Sequence, residues 1–118
     1  MSKYCVFDNK TGIKKYKSKE ICDKAYNAQK EAHELGIAPK VIKRINDLSY
    51  QTEIADTSFF MKNFKEMVYY NEIFPDLHNK LKPIFNKYKI HKTGPDGIDL
   101  ARHNLGLYHG KVVMIDFS

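Results

Sequence analysis

The sequence predicts an α+β fold, a small antiparallel sheet with one packed helix, followed by two helices and a β-hairpin. Three observations carry that reading. Short β-rich runs come in pairs around turn residues, apolar residues recur at helical spacing in three segments, and glycines and prolines punctuate the boundaries. With 118 residues, 42% of them hydrophobic and 13% aromatic, the chain is expected to form one domain, 1–118, with enough apolar surface to bury a core.

The first pair of strands is "YCVFD", Tyr4 to Asp8, and "IKKYK" from Ile13, joined through the turn residues Asn9 to Gly12. Ser18 is placed to cap the helix that follows, from Lys19 to Leu35, whose Ile21, Ala25, Ala28, Ala32 and Leu35 share one face. Gly36 stands at a natural C-terminal stop and Pro39 blocks continuation. "KVIKRI" and "SYQTEIA", Ser49 to Ala55, predict two further strands around a turn at Asn46 and Asp47. A second helical pattern puts Phe60, Phe64, Met67 and Val68 on one face. Pro75 and Asp76 open a third helix with a stripe of Leu77, Leu81, Ile84, Phe85 and Tyr88, and Pro83 marks a kink inside it. "HKTGPDG", His91 to Gly97, reads as a loop. The end of the chain reads as strand, turn at His109 and Gly110, strand: "NLGLY" and "KVVMI".

A net charge of +6 invites a nucleic-acid reading, but the kind of basic residue argues against it. Only Arg44 and Arg102 are arginines, whereas bidentate contacts to bases and phosphates favour arginine, and the lysines are spread along the whole chain. No apolar run approaches the roughly 20 residues of a membrane span, and the N-terminus lacks the apolar core of a signal peptide. A cytoplasmic protein without a membrane partner is the expectation. Cys5 and Cys22 have neither metal spacing nor a disulfide framework and are expected as ordinary buried thiols. The histidines His33, His78, His91, His103 and His109 lack the paired spacing of a metal site. Phe59, Phe60, Phe64, Phe85 and Tyr88 keep helical spacing and are assigned to the core rather than to base stacking. A compact, Lys-rich, Arg-poor chain suits a phage or other mobile element of an AT-rich host.

The tail carries the chemistry. Asp99 and Leu100, then three residues and Asn104, match the D-L-x-x-x-N part of a protein-kinase catalytic loop, and Asp116-Phe117 matches the start of the D-F-G element. A helix precedes the first element and a hairpin joins it to the second. The tail therefore resembles the catalytic centre of the protein-kinase-like superfamily. That resemblance implies a reduced kinase-like fold with ATP and Mg²⁺ as cofactors. It makes Asp99 the residue that accepts or orients the proton of an attacking hydroxyl, and Asn104 and Asp116 the oxygen ligands of the metal.

The same resemblance can be followed upstream. "GIKKYKS" is similar to the strand with the phosphate-pairing lysine. Lys14, preceded by Ile13, is the first choice there and Lys15 the competitor, because a strand turns only one of them towards the nucleotide. The helix from Lys19 resembles the one that supplies the lysine's glutamate partner, and Glu31, at the border of its apolar face, is the candidate. "ELGIAPKVI" is similar to the turn and strand that follow this helix in small-molecule kinases of the superfamily. "TEIAD" resembles the hinge beside the adenine, which implies nucleotide contacts at Glu53 and Ala55. Residues 1–55 then form the smaller, N-lobe-like part, and residues 56–118 the helices, catalytic loop and metal-binding hairpin.

The departures from the family pattern shape the expectation. Only Met1, Ser2 and Lys3 precede the first strand, leaving no room for a Gly-rich loop. Gly97 stands where H-R-D has its histidine, Ser118 replaces the glycine of D-F-G, and no activation segment or large helical lobe follows. The implied function is a minimal kinase that phosphorylates a hydroxyl of a protein, itself included, or of a small molecule. Without a supporting lobe, association into a homo-oligomer is expected. The alternative is a pseudokinase that binds a nucleotide or a partner as a regulatory module.

Overall fold

The computed structural model describes residues 5–90 and 94–118. Tyr4, His91 and the next two residues of the expected loop lie outside them. Strands β1 (Cys5–Phe7) and β2 (Ile13–Tyr16) pair antiparallel, with Phe7 opposite Lys14. Asp8 shapes the connection by accepting the Lys10 N–H at 2.8 Å. β2 also pairs with β4 (Ser49–Thr52), which pairs with β3 (Val41–Asn46), so the sheet order is β1-β2-β4-β3. β2 is thus an interior strand. Its residues alternate strictly, burying Lys14 and Tyr16 and exposing Lys15.

Helix α1 (Lys19–Glu34) begins where expected, with Ser18 Oγ accepting the Ile21 N–H at 3.2 Å. Ala25, Ala28 and Ala32 are fully buried, and their small side chains let the helix lie close against the sheet. The expected face is rotated slightly from the observed one. Cys22 and Gln29 are buried, whereas Leu35 remains 49% exposed. The helix closes as Ile37 N–H reaches back to Ala32 O at 2.9 Å, which leaves Leu35 outside the packed face.

The second helical pattern yields only α2 (Ser58–Asn63), and the expectation that Met67 and Val68 join its buried face is corrected. Met67 is 88% exposed. Arg102 donates to the carbonyls of Met61 and Phe64 at 2.8 and 3.2 Å, satisfying acceptors that a longer helix would have used itself. Phe64 becomes extended and folds into an aromatic group, its ring 5.2 Å from Phe60 and 4.7 Å from Tyr70. Phe59 lies half-exposed beside that group rather than inside the core. The fourth strand is also shorter than expected, ending at Thr52 instead of Ala55.

Helix α3 (Pro75–Tyr88) has Pro75 in its first turn, buries Leu77, Leu81, Ile84 and Phe85, and runs through Pro83. Single-turn 3₁₀ helices at Pro95–Gly97 and Arg102–Asn104 frame the next loop. The hairpin of β5 (Leu105–Tyr108) and β6 (Lys111–Met114) follows. Its two-residue turn has positive φ at both positions, 51° at His109 and 78° at Gly110, as a type I′ hairpin requires. The architecture is therefore α+β, with a small antiparallel sheet and three α-helices. Among the described residues no helix is long and apolar enough to cross a membrane. Cys5 and Cys22 are free and buried, and burial pushes both thiols up from their ordinary pKa.

The hairpin is fastened to the segment after β4 by a reciprocal pair of backbone bonds, Asp56 N–H to Leu107 O and Leu107 N–H to Asp56 O, both 2.8 Å. Gly106 permits this approach. A Cβ there would lie 2.8 Å from the Ala55 Cβ and 3.3 Å from Ile115 Cγ2.

Candidate active site

Ile115, one residue past β6, is the hub of the site. Its N–H donates to the Asn104 carbonyl at 2.9 Å, extending the hairpin ladder, and its carbonyl accepts from Lys14 Nζ across the fold. Asp116 follows directly. Strand β2, the residue before β5 and the residues after β6 therefore converge, bringing together three residues singled out by the sequence: Lys14, Asn104 and Asp116. Lys14 is 2% exposed, its ammonium lying 5.8 Å from the Phe7 ring centroid and 5.7 Å from that of Tyr50. Lys15, on the opposite face of the strand, takes no part in this convergence.

Asp116 is buried, and its Oδ1 accepts from the Ser118 N–H at 3.1 Å and Ser118 Oγ at 2.8 Å. Those bonds fix the orientation of the carboxylate. Phe117 anchors the same segment from the other side, fully buried with its ring 6.0 Å from Phe85 of α3. Asn104 is 1% exposed and donates its Nδ2 to the Asp99 carbonyl at 3.2 Å. Its Oδ1 is buried and accepts no hydrogen bond from any described residue. An acceptor in that state can take a ligand, an ion or water.

Asp99 is set by the turn it begins. Its Oδ1 accepts the Ala101 N–H at 3.1 Å, and Oδ2 lies 3.8 Å from His103 Nε2. The loop itself is supported from the segment before α3: Tyr70 N–H donates to Leu100 O at 3.1 Å and Asn71 Nδ2 to Ile98 O at 3.3 Å. The Asn104 side chain closes this loop, so Asp99 and Asn104 are joined as well as near in sequence.

The chemistry of this donor set fits Mg²⁺. A carboxylate and an amide oxygen are hard ligands of the kind Mg²⁺ takes from a protein, the rest of its shell coming from water and phosphates. Asn104 Oδ1 and Asp116 would hold the ion. Among the described residues no cluster of three or more His, Cys, Asp or Glu offers a competing metal site.

The expected partner of Lys14 requires a correction. Glu31 turns away from the sheet, and its carboxylate accepts from Lys87 and Tyr88 at the end of α3, the latter at 2.8 Å. Those donors hold its pKa below the usual glutamate range, the Lys87 contribution being the largest. Gln29 faces Lys14 instead. Its Oε1 accepts from Lys14 Nζ at 3.1 Å and from Tyr50 OH at 2.7 Å, and its Nε2 donates to Pro39 O at 3.0 Å and Thr52 Oγ1 at 2.6 Å. The sequence did contain the signal: Gln29 completes the 25, 28, 29, 32 spacing of one helical face as a lone polar residue. Tyr16 OH extends the network to Tyr50 OH at 3.2 Å, and burial raises both phenols well above their ordinary pKa, keeping them neutral.

Glu53 and Ala55, the expected hinge residues, border a cleft with Lys14 and Ile115. Its cavity volume is only about 10 Å³, with Phe7 and Pro39 also in its wall. That is room for about one water. The Glu53 side chain points to the hairpin, where it accepts from Tyr108 OH, and its N–H donates to Lys40 O at 2.8 Å. No family model, no characterised protein and no solved structure matches the chain.

Proposed function

We propose that the chain is a minimal kinase that transfers the γ-phosphoryl group of ATP to a hydroxyl of a protein, itself included, or of a small molecule. Phosphoryl transfer asks a protein for positioning and charge more than for covalent chemistry, and the residues around Ile115 supply both. Lys14 contributes a cation for the phosphates. Asp99 accepts the proton of the attacking hydroxyl as its oxygen bonds to the γ-phosphorus, while the bond to the bridging oxygen breaks and ADP leaves. Asn104 and Asp116 would hold Mg²⁺, which would supply the positive charge that neutralises the phosphates. The observation that carries the reading is the buried Asn104 Oδ1, which meets no donor among the described residues, on the same hairpin end as Asp116, with Lys14 bonded to the residue between them in the fold.

The narrow cleft adds a step. Nucleotide entry exchanges the Lys14 bond to the Ile115 carbonyl for one to phosphate and moves Phe7 and Pro39 apart. The same closure favours a second reading, a pseudokinase that acts as a regulatory module.

Radiolabelled ATP with Mg²⁺, incubated with the wild-type protein and with Asp116→Asn, separates the two. Label on the protein or on a general acceptor that disappears in the variant supports the kinase. An unlabelled wild-type protein that binds ATP in a Mg²⁺-dependent manner supports the regulatory module, and absence of ATP binding sinks the kinase and leaves only a module that binds a partner without nucleotide.

A further inference from the structure

The amide at position 29 is set in a pocket that demands two opposite things of one side chain. On the side of β2 and β4 it meets donors, Lys14 Nζ at 3.1 Å and Tyr50 OH at 2.7 Å. On the other side it meets the Pro39 carbonyl, which can only accept, at 3.0 Å. Thr52 Oγ1, 2.6 Å from Gln29 Nε2, lies 3.0 Å from Lys40 O and 3.1 Å from Glu53 O; directing its own proton to either carbonyl leaves it an acceptor towards Gln29. A glutamine satisfies every one of these neighbours. A carboxylate would satisfy the donors and set an oxygen against the carbonyl of Pro39.

Pro39 also belongs to the wall of the closed cleft, and Thr52 and Glu53 line the same space. Gln29 therefore links the ammonium of Lys14 to the segments that border the cleft, from a helix position that is itself completely buried. We infer that Gln29 is the positioning residue for Lys14, and that this chain needs an amide there rather than the glutamate of the kinase pattern. The inference rests on the reading of Lys14 as the phosphate-binding lysine. Gln29 acts only through Lys14, holding its ammonium at the end of β6.

Two variants and two readouts test it. Gln29→Glu keeps the acceptor oxygens and loses the donor, while Gln29→Met keeps the length and loses both. The first readout is the Lys14 ammonium resonance in ¹⁵N-lysine-labelled protein, assigned by its loss in Lys14→Met. The second is the affinity for MgATP by calorimetry, with folding of each variant checked by circular dichroism. Both variants are expected to shift or broaden the Lys14 resonance and to weaken MgATP binding about tenfold or more, the scale of one well-placed hydrogen bond to a charged group. Gln29→Glu binding MgATP as tightly as the wild type would overturn the need for an amide. An unmoved Lys14 resonance in either folded variant would overturn the positioning role. Should the wild-type protein bind no MgATP, the kinase reading falls, and the resonance alone still decides whether Gln29 holds Lys14.

Discussion

Gln29 and Asn104 are two amides sealed from solvent at 0% and 1% exposure, one in the helix against the sheet and the other before the hairpin. Gln29 has both ends engaged by the protein, its oxygen by Lys14 and Tyr50 and its nitrogen by Pro39 and Thr52. Asn104 uses only its nitrogen, on the Asp99 carbonyl, and its oxygen meets no donor among the described residues. Burying a polar atom without a partner costs about 1–3 kcal/mol, a penalty that persists in a fold only where something else is gained. The contrast distinguishes a side chain whose two ends both have internal partners from one whose oxygen has none among the described residues.

Breaking the joint between the two regions should have the largest effect. Gly106→Val places a side chain where a Cβ alone would lie 2.8 Å from the Ala55 Cβ, beside the reciprocal Asp56–Leu107 bonds. Accommodating it separates the hairpin from the segment after β4. A loss of about 3 kcal/mol or more is expected in urea unfolding, at the upper end of overpacking costs. A variant with the wild-type midpoint would show that the hairpin docks without this close approach.

The two amides can then be set against each other by near-isosteric apolar replacement. Gln29→Met leaves the Pro39 carbonyl and the Tyr50 hydroxyl each short of a partner and should cost about 3 kcal/mol. Asn104→Leu removes one hydrogen bond at 3.2 Å and one unsatisfied acceptor together, so its stability should stay within about 1 kcal/mol of wild type. Its phosphotransfer should nonetheless fall about a hundredfold or more, as happens when one preorganised polar group of a site is lost. Equal destabilisation by the two replacements would erase the contrast between them.

The parts of this fold that were legible in the sequence are those whose geometry follows from local order. Asp99, Asn104 and Asp116 stand at fixed intervals around a tight hairpin, and His109-Gly110 dictates its turn, so their proximity could be read linearly. That Lys14 is buried and Lys15 exposed follows from β2 being an interior strand with one buried face. The partner of Lys14 was less accessible. Positions 29 and 31 lie about 200° apart around the helix, and which of them meets the sheet depends on the rotation of α1, fixed by the packing of Ala25, Ala28 and Ala32. Likewise α2 ends at Asn63 through carbonyl bonds from Arg102, which is distant in sequence and leaves no local trace.

Glu31 gives the smallest and most discriminating prediction, because it lies only two residues from Gln29 on the same helix. Its carboxylate ties α1 to Lys87 and Tyr88 of α3, with Lys87 61% exposed, so the bond is largely a surface ion pair. Glu31→Gln should lower Tm by no more than about 2 °C and leave MgATP affinity unchanged. The pH dependence has a definite sign. Lys87 and Tyr88 lower the pKa of Glu31 in the folded protein, so its contribution is fully present above the ordinary glutamate value of about 4.3. It is lost as the pH falls through the lowered folded value, and the melting curves of wild type and Glu31→Gln should converge there. A variant that instead lost nucleotide binding at neutral pH would return Glu31 to the site and remove Gln29 from it.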